Sequence, residues 1–165
     1  MPDTSLYFIR EANREDQKFV FNSWYKSYAN FWPLRPWFSG GGEIVLNNAY
    51  YATHGAYIRD IIRRSTTLIL APRGEDDPYT ICGWVIYEGC TVHYVYIPKI
   101  VRLQGLAWHM LDQARGVEFC SHMTTRGAHL AKRLKLKYRP QRIWPVTNTK
   151  TYMKPPKVGL AANVY

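Results

Sequence analysis

The chain has 165 residues and a mass of 19.3 kDa, the size of one domain able to bury about two thirds of its unfolded surface. Hydrophobic residues make up 47% and charged residues 21%, which speaks against disorder; no apolar run approaches the ~18 residues of a membrane span, and residues 1–5 have no signal-peptide character. Residues 1–118 hold twelve Lys/Arg against twelve Asp/Glu, whereas residues 119–165 hold ten Lys/Arg and no acid, so the net charge of +10 sits in the last third. The expectation is a single soluble domain, cytoplasmic and without a membrane partner, whose basic third attracts a polyanion or forms a solvated face. Three cysteines without a CxxC pair, and five histidines without ligand spacing, argue against a disulfide framework and a zinc site.

Leu6 to Arg10 reads as a first strand, and Asn13 with Asp16 three residues on reads as a helix N-cap. Phe19, Val20, Trp24 and Tyr28 repeat at helical spacing and predict a helix over 17–28. Two prolines and three consecutive glycines within 30–42 mark an aromatic-rich loop, followed by a helix over about 47–64 with Tyr50, Tyr57, Ile58, Ile61 and Ile62 inward. Strands are predicted over 66–71, 79–88 and 90–97, the last ended by Pro98, which has no amide to donate. A helix over 102–116 buries Leu106, Met110 and Leu111; a short strand over 117–122, a helix over 125–136 and short strands complete the chain. The order is β-α-α-β-β-β-α-β-α, a mixed α/β domain with an antiparallel middle and a βαβ crossover near its end.

The informative stretch is Arg102-Leu103-Gln104-Gly105-Leu106-Ala107, where a strand runs through a loop into a helix. Free amides at a helix N-terminus bind phosphate, Gly105 and Ala107 remove bulk, and Arg102 adds a permanent charge. The alternative for the two small residues is close helix–sheet packing. Arg102-x-x-Gly105-x-Ala107 after the fourth strand, with the element order and the opening Ile9-Arg10-Glu11-Ala12, resembles the Gcn5-related N-acetyltransferase (GNAT) superfamily. The resemblance implies a mostly antiparallel sheet whose fourth and fifth strands splay apart, flanked by about four helices. It also implies an acyl-CoA site, with acetyl-CoA as the donor. Backbone groups of Val95, Tyr96 and Ile97 would pair with the pantetheine arm, and residues 102–107 would hold the pyrophosphate.

Members of this superfamily often carry a tyrosine acid in the last helix, in a run ending Gly-Phe. Here the position holds Ala131, and Lys135-Leu136 replaces Gly-Phe. His93, Tyr96 and His122 are the candidate replacements. His93 faces the cleft if it shares a face with Val95, leaving Tyr94 and Tyr96 on the other; a hydrogen-bonded sheet histidine is the alternative. Cys120 reads as buried and apolar, and Glu88, beside a turn, as solvated. Arg126, Lys132, Arg133, Lys135 and Lys137 form the candidate surface for an anionic macromolecule, since one cofactor needs far fewer charges.

The leading reading is an acyl-CoA-dependent N-acyltransferase acting on an amine of a macromolecular acceptor. The compact length and the aromatic loop are similar to bacteriophage-encoded GNAT-like proteins, including the Mom DNA-modification proteins, which act on adenine. That likeness implies a host-cytoplasmic enzyme able to unstack a base. The alternatives are an inactive GNAT-fold binding or inhibitor module and a small-molecule acetyltransferase, because fold does not settle function.

Overall fold

The computed structural model describes residues 4–29, 42–74, 80–102 and 105–143. Six strands lie in one sheet in chain order: β1 Tyr7–Glu11, β2 Thr66–Pro72, β3 Gly83–Glu88, β4 Thr91–Tyr96, β5 Phe119–Cys120 and β6 Lys137–Tyr138. The pairs from β1 to β4 are antiparallel; β4–β5 and β5–β6 are parallel. Helices α1 Asp16–Ala29 and α2 Gly42–Arg64 join β1 to β2, α3 Leu106–Gln113 joins β4 to β5, and α4 Thr125–Arg133 joins β5 to β6.

Both faces of the sheet are covered, and strand alternation deals residues to each. Ile69, Trp84, Ile86 and Tyr94 pack against Val20 and Trp24 of α1 and Ile58, Ile61 and Ile62 of α2. Leu70, Val85 and Val92 pack against Leu106, Met110 and Leu111 of α3. The entry to α1 is held by Asn13 Oδ1, which accepts from the amides of Glu15 and Asp16 at 2.9 and 3.0 Å, while Asp16 Oδ2 accepts from the Asn13 amide at 2.7 Å. The Arg10 guanidinium donates to both Asp16 oxygens, at 2.5 and 3.0 Å, and its hydrogen bond holds that buried carboxyl below the usual carboxylate range. The expected cap therefore also ties α1 to β1.

Several expectations need correction. Phe19 is 40% exposed because the buried stripe of α1 runs through Val20 and Trp24, and its ring meets the edge of Tyr96 instead. Helix α2 begins at Gly42 rather than near Asn47; the Tyr50 side chain lies outside the described residues. Helix α3 is short. Gly105 has φ +70°, in the left-handed region that no α-helix contains, so the helix starts at Leu106 and Arg102 follows a separate 3-10 turn, Lys99–Val101. Strand β5 keeps only two residues, for a reason that lies in the site.

Helix α4 ends at Arg133 rather than Leu136. The Leu136 amide donates to Ala131 O at 2.8 Å and the Lys135 amide to Lys132 O at 3.2 Å, with Lys135 at φ +57°. This is the hydrogen-bond pattern of a helix stop that normally carries glycine at the left-handed position. Lys135 thus holds a conformation that favours glycine, at a steric cost of about 1 kcal/mol. Lys135→Gly is expected to raise stability by roughly that amount in urea denaturation; a destabilised variant would contradict the assignment.

Candidate active site

The sheet opens between β4 and β5. The two strands pair only at Thr91–Phe119 and Val92–Cys120, and they part from His93 onward. Arg142 pins the closed end: it donates to Thr91 Oγ1 at 3.0 Å and to Cys90 Sγ at 3.5 Å, and its guanidinium lies 3.8 Å from the Phe119 ring centroid. Beyond that clamp runs an open cleft of about 2510 Å³, bordered by α1, β4, α3 and α4.

Strand β4 carries a bulge beside this cleft. Ile86 pairs with Tyr94 but Tyr87 pairs with Val92, so β4 carries one extra residue, His93. The extra residue shifts the alternation. Val92 and Val95 pack with the α3 cluster, and Tyr94 and Tyr96 with the α1 cluster. His93, at the bulge, is 1% exposed and forms part of the cleft wall with Val95. Its Nδ1 lies 2.8 Å from Ser121 Oγ, and its Nε2, without a hydrogen-bond partner, stands 3.5 Å from Glu88 Oε2. Glu88 is ion-paired to Arg64 of α2, not free in solvent.

Ser121 Oγ also lies 2.9 Å from His122 Nδ1. His122 lines the cleft and meets Tyr28 and Trp24 edge-on, at centroid distances of 5.1 and 5.2 Å. Burial pushes His93 down to about 4, with Arg64 adding to the shift. Burial, with His93 and His54 nearby, pushes His122 down to about 3. Both rings are neutral at pH 7.

Along the open side, half-buried Val95 and Tyr96 border the cleft, and Tyr96 stacks on Trp84 at 5.8 Å. Ile97 lies just past β4. Its carbonyl accepts from Arg102 Nε at 2.6 Å, so that nitrogen closes the turn rather than reaching towards a phosphate. A Cβ at Gly83 would stand 2.5 Å from Ile97 Cδ1; the missing side chain lets Ile97 fold against β3. At the start of α3 the first helical bond runs from the His109 amide to Gly105 O, at 3.1 Å. The amides of Leu106, Ala107 and Trp108 therefore have no helical carbonyl to reach. Leu103 and Gln104 lie outside the described residues. An unpaired strand edge leading to a helix N-terminus suits an extended ligand with an anionic end, which is the shape of acyl-CoA.

Ala131 lines the cleft and supplies no acid. The Tyr94 hydroxyl is 3.1 Å from Ser27 Oγ, and burial pushes its pKa up, against ionisation. The Cys120 thiol is likewise raised by burial, the opposite of an activated nucleophile. Of the basic residues, Arg126 and Arg133 line the cleft, whereas Lys132, Lys135 and Lys137 are exposed outside it. Sequence reasoning missed Trp108, whose half-exposed ring lies 5.2 Å from the Arg133 guanidinium, and Ser121, which no motif marks.

No family model and no curated protein matches the chain. Solved structures do. A protein of Pyrococcus furiosus provisionally named an acetyl transferase superposes with a TM-score of 0.55 at 12% identity, over 81% of this chain and 94% of its own. A GCN5-related N-acetyltransferase from Ralstonia eutropha JMP134 gives 0.50 at 12% identity, over 90% and 97%. At these identities the likeness concerns architecture, and the fold is the GNAT fold.

The histidine environment sets a pH dependence. Each ring takes up a proton less readily folded than unfolded, so its stabilising contribution is complete above the unfolded value of about 6.5 and is lost as pH falls towards 4 and 3. NMR titration is expected to show both imidazoles neutral at pH 5.5; a midpoint near 6.5 for either would contradict the burial.

Proposed function

We propose that the protein is an acyl-CoA-dependent N-acyltransferase with acetyl-CoA as donor, acting on an amine of an anionic macromolecule, nucleic acid ahead of protein. The observation that carries this reading is the unpaired edge of β4 leading to the left-handed Gly105 and the free amides of α3. When bound, the donor supplies an activated acyl thioester. Val95, Tyr96 and Ile97 would hold its extended arm through backbone groups, and residues 105–108 its phosphates. Gly105 is the position where a side chain would meet both backbone strain and the ligand.

The remaining chemistry is proton handling. Acyl transfer needs a group to take the amine's proton and a group to protonate the departing thiolate. His122 lies where β4 and β5 part, lines the cleft and is neutral at pH 7, so it has the lone pair of a base. Tyr96 lines the same cleft and holds a hydroxyl proton that Ala131 cannot offer. His93 supports His122 from behind through Ser121. Arg126 and Arg133 at the rim, with Lys132, Lys135 and Lys137 beyond it, form a field matched to a polyanionic acceptor.

Titration calorimetry with acetyl-CoA is expected to show binding by the wild type and none by a folded Gly105→Glu variant; equal binding by both would refute the site. Reversing charge at Lys132, Lys135 and Lys137 together is expected to leave acetyl-CoA binding intact while weakening binding to duplex DNA tenfold or more at low salt. Unchanged DNA binding would remove the polyanion from the proposal.

A further inference from the structure

We infer that Glu88, His93, Ser121 and His122 form a proton relay that drains the acceptor amine's proton from the cleft to the surface end of β3. This inference rests on the acyltransferase reading and assigns Ser121 as a positioning residue acting between two histidines. The four groups come from three places in the chain: the end of β3, the bulge in β4, and the two residues following β5. Consecutive links measure 3.5 Å from Glu88 Oε2 to His93 Nε2, 2.8 Å from His93 Nδ1 to Ser121 Oγ, and 2.9 Å from Ser121 Oγ to His122 Nδ1. His93 and Ser121 are 1% and 2% exposed, so water does not replace these links.

The side-chain links fit one polarity, with the His122 ring also hydrogen-bonded to the His93 backbone. A carboxylate only accepts, so Glu88 favours the hydrogen of His93 on Nε2, the buried nitrogen that otherwise has no partner. His93 Nδ1 then accepts from the Ser121 hydroxyl, whose oxygen accepts from His122 Nδ1–H. That leaves His122 Nε2 with the lone pair. The bulge falls at His93, whose Nδ1 meets Ser121.

In the reaction the amine nitrogen bonds to the acyl carbon, and the carbon–sulfur bond breaks with its electron pair going to the thiolate. The amine's proton passes to His122 Nε2. Nδ1–H moves to Ser121, the serine proton to His93 Nδ1, and the His93 Nε2 proton to the Glu88 carboxylate, from which it leaves to water. Every ring ends neutral in the opposite tautomer. Facing this chain are Asp60, Arg64 and His54 from α2, Tyr28 from α1, and Tyr94 from β4. Arg64 and the neighbouring rings disfavour a lasting imidazolium, which suits concerted passage over storage of the proton.

Long-range proton–nitrogen NMR spectra of histidine-labelled protein at pH 7 read the tautomers without any acceptor. The wild type is expected to show His93 protonated on Nε2 and His122 on Nδ1, the tautomer that is the minor one in free imidazole side chains. Ser121→Ala should return His122 to the Nε2–H form, and Ser121→Thr, which keeps a hydroxyl, should preserve the wild-type pattern. An Nε2–H His122 in the wild type, or no response to Ser121→Ala, overturns the relay. Thiol release from acetyl-CoA with water as acceptor supplies the functional readout. Ser121→Ala is expected to lower the rate at least tenfold at unchanged acetyl-CoA affinity and to alter its pH profile, with Ser121→Thr recovering most of it. An unchanged rate and profile also overturn the relay, whereas absent acetyl-CoA binding by the wild type would sink the acyltransferase reading and, with it, the relay's catalytic role, the tautomers remaining as a separate result.

Discussion

Backbone amides and carbonyls must find partners, and β4 meets that requirement on one side only. It pairs along β3 throughout, but towards β5 it pairs at two positions before the strands diverge. Everything in the site follows from that unfinished ladder. The clamp by Arg142 fixes where divergence begins, so the opening has a definite depth instead of fraying from the end. The bulge at His93 shifts the strand's alternation beside it. Gly83, by letting Ile97 fold over β3, and Arg102, by holding the Ile97 carbonyl, guide the chain from the open edge to the start of α3. A strand edge exposed inside a sheet would be a liability elsewhere; here the flanking helices keep it from pairing with another chain.

Charge is partitioned across the same opening. The His93 and His122 rings are neutral, Arg126 and Arg133 stand at the rim, and the cations at the base are held: Arg64 by Asp60 and Glu88, Arg142 by Thr91, Cys90 and the Phe119 ring. The arrangement lets a long-range field act on a ligand outside while the low-dielectric interior keeps short hydrogen bonds strong.

Much of this architecture can be read from the residue pattern, because the two core faces are written in period-two and period-3.6 repeats. Ile69 beside Leu70, and Trp84 with Ile86 against Val85, already sort themselves between two layers. The site is less legible. A period-two reading has no means of registering an inserted residue, so the bulge at His93 escapes it. A helical pattern runs smoothly from Arg102 through Leu106, and only the dihedral of Gly105 breaks it. Ser121 sits in no motif, since its role comes from the two histidines that tertiary structure brings to it. Lys135 is the converse case: a lysine reads as a helix residue, yet its backbone takes the left-handed conformation of a helix stop.

The packing of α1 on the sheet has an optical consequence. Trp24 and Trp84 stand 5.7 Å apart with their planes inclined at 42°, and Tyr94 stacks on Trp24 at 5.2 Å. Indoles so close and so tilted share their electronic transitions, and the sign and size of the resulting near-ultraviolet circular dichroism depend on their mutual angle. Tyr94 and Tyr96 touch this stack from the very strand that borders the cleft. The protein thus carries its own chromophore pair at the root of the opening. A change in how far β4 stands from its neighbour would be registered there without any label.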